Sequence, residues 1–101
     1  MQSTIQSINL ISIDPNIRNG RPCIANTSIE VSVIAIAKIV HGLAPDEIAA
    51  DYALSLSQVY AALAYYYENK QTIDASISER RQLAQKMKDD RVGSRHSPLF
   101  G

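Results

Sequence analysis

Side chains that could act on a substrate or hold a metal are few in this chain of 101 residues. His41 and His96 lie far apart in the sequence, and no cysteine or aspartate cluster stands near either one at metal-ligand spacing. Cys23 is the single cysteine and has no evident base, so we interpret it as a small buried apolar residue. Asp14 fits a turn and Asp46 a helix start. We therefore expect no enzymatic activity, no metal and no cofactor.

Recognition of a nucleic acid is the second chemistry to consider, and residues 41–69 are the segment that could provide it. They predict helix, tight turn and helix, with Pro45 as a first helical residue and Ser57 as the N-cap of the second helix. The predicted buried face of that helix consists of Val59, Ala62, Leu63, Tyr66 and Tyr67. The candidate DNA-binding residues on its outer side are Ser57, Gln58, Ala61, Tyr65 and Asn69. Gln and Asn can pair with adenine, and Ala can contact a thymine methyl group.

Charge distribution limits this hypothesis. Residues 1–69 hold three Lys or Arg against six Asp or Glu, a balance of −3, whereas residues 70–101 hold seven against four, a balance of +3. Because phosphate neutralisation supplies much of DNA affinity, a monomer should bind DNA weakly through the predicted helix. Aromatic side chains with a polar end also suit protein interfaces, so we favour Tyr60 and Tyr65 as homodimer contacts over base stacking.

The elements that must position these residues form an α+β fold that is mainly α. Short extended segments at residues 8–13, 23–25 and 29–31, separated by turn residues, predict an N-terminal β-ribbon. A helix over residues 33–41 follows, capped by Ser32, with Val33, Ile36, Ala37 and Val40 on its apolar face. A fourth, charged helix with Thr72 as its cap is expected from Ile73 to Asp90. The expected organisation is a flexible N-terminus (1–7), the ribbon and helix-turn-helix domain (8–78), and a charged helix end with a mobile tail (79–101).

Several short segments, in order, resemble domain of unknown function family 433. They are residues 13–15 (IDP), 19–24 (NGRPCI), 29–31 (IEV), 42–48 (GLAPDEI) and 59–66 (VYAALAYY), and the resemblance covers roughly residues 8–77. It implies a β-ribbon followed by a homeodomain-like helix-turn-helix, and an antitoxin often encoded beside a PIN-like ribonuclease toxin. The chain departs from the family pattern at residues 26–28, where Asn-Thr-Ser replaces Gly-Thr-Arg, and at Ala53, where the family has proline.

On this resemblance we expect an antitoxin of a type II toxin–antitoxin pair. It would neutralise a PIN-like ribonuclease by direct binding and repress its own operon through the helix-turn-helix. Ile77, Leu83 and Met87 would dock into an apolar groove of the toxin, while Arg91 or Arg95 reaches its acidic active site. A stand-alone DNA-binding regulator and a pure protein-interaction module are the alternatives. We expect a homodimer in the cytoplasm. We expect no membrane contact, because no apolar run approaches the ~18–20 residues that span a bilayer.

Overall fold

The computed structural model describes residues 3–4 and 8–95, and the side chains of residues 91–95 lie outside the described part. In chain order the elements are β1 (Ile11–Ser12), a single turn (Arg18–Gly20), β2 (Cys23–Ile24), α1 (Val31–Ile39), α2 (Pro45–Tyr52), α3 (Leu56–Glu68) and α4 (Lys70–Arg95). This architecture confirms the predicted α+β, mainly α class. The chain divides into two compact units, one ending at Asn69 and the other beginning at Lys70.

The N-terminal ribbon is shorter than predicted. β1 pairs antiparallel with β2, with Ile11 opposite Ile24 and Ser12 opposite Cys23. Cys23 also forms an isolated antiparallel β-bridge with Glu30. The Asp14 turn is confirmed, since Asp14 Oδ1 accepts the Asn16 N–H at 2.9 Å. Residues 18, 19 and 20 all have positive φ, at 50°, 56° and 79°. A glycine adopts this region readily, whereas Arg18 and Asn19 adopt it at a conformational cost.

A bidentate ion pair connects the ribbon to the start of α1. Arg21 Nε lies 2.7 Å from Glu30 Oε1, and Arg21 Nη2 lies 3.3 Å from Glu30 Oε2. The Glu30 carboxylate is buried, and Ser32 Oγ donates to its Oε1 at 3.4 Å. The hydrogen bond to Glu30 raises the pKa of Arg21, so the guanidinium stays charged. A buried carboxylate requires such a partner, because desolvating an unpaired charge is costly.

The first helix differs from its prediction in start and orientation. α1 begins at Val31 with Glu30 at the N-cap position, so Ser32 lies inside the first turn and is not the cap. Its buried residues are Val31, Ser32, Ile34, Ala35 and Ala37, whereas Val40 is 59% exposed. The predicted apolar face was therefore largely wrong. Because seven of the nine residues of α1 are apolar, periodicity alone cannot choose the face that packs.

The helices α2 and α3 follow each other through a turn of three residues. Pro45 is the first residue of α2, as predicted, and Glu47 Oε1 accepts the Ala44 N–H at 2.9 Å. α2 ends at Tyr52, and the next residue, Ala53, is its C-cap and has left-handed backbone angles (φ 54°, ψ 47°). Proline cannot adopt this φ, so the alanine permits a turn that the family's proline would exclude.

The predicted N-cap of α3 was wrong by two residues. Ser55 is the N-cap: its Oγ accepts the Gln58 N–H at 3.1 Å, and Gln58 Oε1 accepts the Ser55 N–H at 2.8 Å. This reciprocal capping box satisfies backbone donors that a helix start leaves unpaired. Ser57 therefore lies inside the first turn and is exposed. α3 packs against both α1 and α2, and the largest fully buried side chains of the core are Ile24, Val31, Ile34, Ile48 and Val59.

The last helix is longer than predicted at both ends. α4 begins at Lys70, three residues before Ile73, so Thr72 is not its cap, and it continues past Asp90 to Arg95. Lys70 Nζ pairs with Asp74 Oδ2 at 2.7 Å one turn later. Across the described residues, no helix combines the length and the apolar character needed to cross a membrane.

Candidate interaction surfaces

The α3 helix has a buried face that was mostly predicted. Val59, Ala62, Leu63 and Tyr66 are buried, which confirms four of the five predicted core residues of this helix. Tyr67 was placed in the core wrongly, since its side chain is 58% exposed. The exposed residues of α3 are Leu56, Ser57, Tyr60, Ala64, Tyr67 and Glu68. This exposed face lies to one side of the face that was predicted to meet DNA.

The residues predicted to contact DNA are mostly half-buried. Of that set only Ser57 is exposed, while Gln58, Ala61, Tyr65 and Asn69 have intermediate exposure. The side-chain Oε1 of Gln58 accepts the Ser55 N–H, and Asn69 Nδ2 donates to the Tyr65 backbone carbonyl at 3.0 Å. Bidentate pairing with adenine would compete with these bonds at the two ends of α3. α3 also contains no Lys or Arg, and Glu68 is its one charged residue.

Aromatic side chains dominate the exposed face of α3. Tyr60 is 57% exposed, whereas Tyr65, its predicted companion at a dimer contact, is half-buried. Tyr67 contacts the buried Tyr66 ring edge-on, with centroids 5.2 Å apart and an interplanar angle of 63°. We name Leu56, Tyr60, Ala64 and Tyr67 the outer stripe. The seven-residue spacing of Tyr60 and Tyr67 was the signal in the sequence that could have placed both on one face.

The α4 helix presents a second exposed apolar surface. Leu83 and Met87 are each 58% exposed and stand four residues apart, a spacing that places them on one side of a helix. Ile77 is half-buried and lies about 80° around the axis from Met87. Every side chain from residue 81 to residue 90 is exposed. The backbone positions of Arg91 and Arg95 continue along α4, one and two turns beyond Met87, and their side chains lie outside the described part.

The environment of Cys23 in the ribbon does not favour a reactive thiol. Cys23 is buried, and its Sγ donates to the Arg21 carbonyl at 3.4 Å. Burial raises the pKa of the Cys23 thiol, and the nearby Glu30 carboxylate raises it further, so little reactive thiolate forms near neutral pH. No group of three or more His, Cys, Asp or Glu is placed to hold a metal ion among the residues with a described position.

Comparison with known proteins identifies the family. The model of the family described as "Protein of unknown function (DUF433)" matches residues 11–66, which is more than half of the chain. The chain belongs to the DUF433 family. It is also similar to a solved DUF433 member protein from Anabaena variabilis ATCC 29413, with 34% sequence identity, a TM-score of 0.62 and 69% of each chain covered. No curated protein matches it.

The matched segment confirms the resemblance seen in the sequence and separates the two surfaces of this DUF433 chain. It spans β1, β2, α1, α2 and most of α3, and it ends before α4 begins. The outer stripe therefore starts inside the matched segment, and Tyr67 follows directly after its last residue. Leu83 and Met87 lie in the part of the chain beyond it.

Proposed function

We propose that this DUF433 protein is the antitoxin of a type II toxin–antitoxin pair and binds a PIN-like ribonuclease through α4. The proposal is carried by the exposed pair Leu83 and Met87 on a helix segment whose side chains are all exposed from residue 81 to residue 90. An amphipathic helix that inserts apolar residues four positions apart into a groove is a recurrent mode of protein recognition. The family resemblance supplies the class of partner.

The charge of this region supports the same partner. Residues 70–101 carry a balance of +3, while residues 1–69 carry −3. A ribonuclease of the PIN-like kind holds metal ions with clustered carboxylates, so its active site is a negative target. Since α4 extends to Arg95, Arg91 and Arg95 follow Met87 along one continuous helix. In the proposed complex an arginine from this pair meets the acidic site, where a guanidinium can bind a carboxylate through two hydrogen bonds.

The proposal predicts a PIN-like ribonuclease encoded beside this gene, and co-expression with that ribonuclease tests the function. The antitoxin variant Leu83→Glu/Met87→Glu should fail to restore growth and fail to co-purify with the ribonuclease, because two carboxylates would be buried in an apolar groove. The matched control is Ser78→Glu/Gln82→Glu, which places the same two charges four residues apart at exposed positions on a different side of α4. Full rescue by the Leu83 and Met87 variant would refute binding through α4.

Repression of its own operon through α3 is the second candidate role. The succession of α2, a three-residue turn and α3 supports it, since this is the order of a helix-turn-helix. The absence of Lys and Arg from α3 weighs against high affinity. A titration of the upstream DNA at several salt concentrations distinguishes a DNA-binding regulator from a pure protein-interaction module. Affinity that falls steeply with salt supports the former, and no binding at low salt supports the latter.

A further inference from the structure

The outer stripe is an apolar surface that the described chain leaves uncovered. Leu56, Tyr60 and Tyr67 are 49%, 57% and 58% exposed, and Ala64 lies between the two tyrosines. α3 also buries a full face on its other side, so it is apolar around much of its circumference. A helix with this distribution normally has protein on more than one side. The edge contact with buried Tyr66 restricts the Tyr67 ring, which lowers the entropy lost when a partner binds.

The charges around the stripe narrow the choice of partner. No charged residue occurs in α3 before Glu68, so the stripe offers no cation to a phosphate backbone. The whole chain has a formal net charge of 0, so two copies approach each other without net repulsion. These properties favour an uncharged apolar surface as the occupant. A second copy of this chain supplies one.

The exposed face of α3 can contact the same face of a second copy that is related to it by a two-fold rotation. In an antiparallel pair of α3 helices whose two-fold axis passes at the height of Ala62, residues whose numbers are equally far from 62 lie at the same height. Tyr60 then meets Ala64 of the other copy, because both lie within about 20° of the middle of the exposed face. Ser57 and Leu56 lie at the heights of Tyr67 and Glu68 of the other copy, toward the edges of that face. The six exposed residues of α3 thus pair entirely among themselves, and the large Tyr60 side chain meets the smallest residue of the stripe.

The one charge of α3 also fits this pairing. Glu68 is the last residue of α3, and Leu56 is the first. The antiparallel arrangement brings the Glu68 carboxylate to the N-terminal end of the other α3, where unpaired N–H groups and the helix dipole favour negative charge. A parallel arrangement would place the two Glu68 carboxylates side by side.

We propose that two copies of this chain associate through an antiparallel, two-fold contact between their α3 helices, formed by the outer stripe. Tyr60 packs on Ala64 of the second copy, twice per dimer. The contact is isologous, as expected for most soluble homodimers. It is independent of the proposed toxin contact: neither Leu83 nor Met87 takes part, and no toxin is required.

Sedimentation velocity on the full-length protein, without toxin or DNA, tests the contact. The wild-type protein should sediment mainly as a species of twice the 11.1 kDa chain mass at about 100 µM and dissociate on dilution below micromolar concentration, as expected for a small interface of micromolar affinity. Tyr60→Lys and Ala64→Lys should each raise the dimer dissociation constant by at least about ten-fold. Tyr52→Lys is the matched control and should leave it unchanged, since Tyr52 is exposed but lies on α2.

A mixing experiment tests the antiparallel register. At a concentration near the wild-type dissociation constant, Tyr60→Lys and Ala64→Glu should each be mostly monomeric alone, but an equimolar mixture should form dimers, because one contact becomes a Lys–Glu pair and the other stays Tyr–Ala. Circular dichroism checks that each variant is folded, and Tyr60→Arg replaces the lysine variant if it is not. A monomeric wild-type protein, including one whose stripe binds only a different partner, overturns the proposal. A dimer that persists in both stripe variants overturns it too, and a mixture that stays monomeric overturns the antiparallel register.

Discussion

Leu63 and Leu83 are the same residue type in opposite environments, and they show how strongly burial determines the contribution of a side chain to stability. Leu63 lies in the buried face of α3 and is 6% exposed, whereas Leu83 on α4 is 58% exposed. Removing methyl groups from a packed core costs transfer free energy and leaves a cavity. At an exposed position neither cost arises to the same degree.

Leu63→Ala should therefore lower the free energy of unfolding by about 2–5 kcal/mol. Leu83→Ala should change it by less than about 0.5 kcal/mol, because the side chain is mostly in water. Chemical denaturation of the two variants beside the parent protein provides the measurement. Equal stability of all three would show that the inner face of α3 is assigned incorrectly.

Cys23 should make folding sensitive to alkaline pH. Burial holds the pKa of its thiol above the ordinary value of 9.0, so the folded state keeps a proton that the unfolded chain releases. This contribution to stability is complete below pH 9.0 and is lost as the pH rises from there through the folded pKa. Denaturation measured from pH 8 to about pH 10 should show a steeper loss for the parent than for Cys23→Ala. Parallel curves would contradict the assignment to Cys23.

Local hydrogen bonds determine the residue at which α3 begins. Ser55 and Gln58 exchange two bonds across the first turn, and Ser57, which is also a suitable cap by residue type, exchanges none of them. Ser55→Ala should cost about 0.5–2 kcal/mol, while Ser57→Ala should be close to neutral. Thermal melting of the two variants compares them directly. A larger loss of stability for Ser57→Ala than for Ser55→Ala would indicate that Ser57 is the N-cap, as predicted from the sequence.

Local patterns were sufficient for some elements and insufficient for others. The Asp14 turn, Pro45 at the first position of α2 and the buried residues Val59 and Leu63 followed from side-chain chemistry and spacing. The face of α1 could not be predicted, because an almost uniformly apolar helix is oriented by tertiary packing alone. Tyr67 was misplaced for a related reason: three consecutive tyrosines leave the edge of the buried face undefined.

The candidate site was predicted less completely than the fold. Tyr60, Leu83 and Met87 were named from the sequence and are exposed. Gln58 and Asn69 were named for their hydrogen-bonding groups, but these groups bond to the backbone at the ends of α3. Amides at helix ends have nearby backbone partners, and residue type alone does not show whether those bonds form.

At the scale of the whole molecule, the chain consists of two units with different compositions. The first holds the buried core residues from Cys23 to Tyr66, and the second is a charged helix. Both proposals follow this division, since the outer stripe belongs to the first unit and Leu83 with Met87 to the second. We therefore expect substitutions in one unit to change the proposed self-association and substitutions in the other to change the proposed toxin binding.

Deletion of residues 79–101 should leave the first unit folded, with α3 intact, and abolish neutralisation of the toxin. Circular dichroism and a cooperative thermal transition report the fold, and growth on co-expression with the ribonuclease reports neutralisation. The full-length protein is the control for both readouts. A truncated protein that still restores growth would place the toxin contact in the first unit.

Ala53 marks a place where the protein could be engineered to be more stable. A left-handed backbone costs an alanine roughly 1–2 kcal/mol and a glycine almost nothing, while glycine gains some entropy when unfolded. With φ at 54°, Ala53→Gly should raise the free energy of unfolding by roughly 0.5–1 kcal/mol, and Ala53→Pro should lower it sharply. For a domain of this size the glycine variant should melt a few degrees higher in calorimetry. A single change at a residue that belongs to neither proposed interface would then give a more stable starting protein for crystallisation and for the other variants.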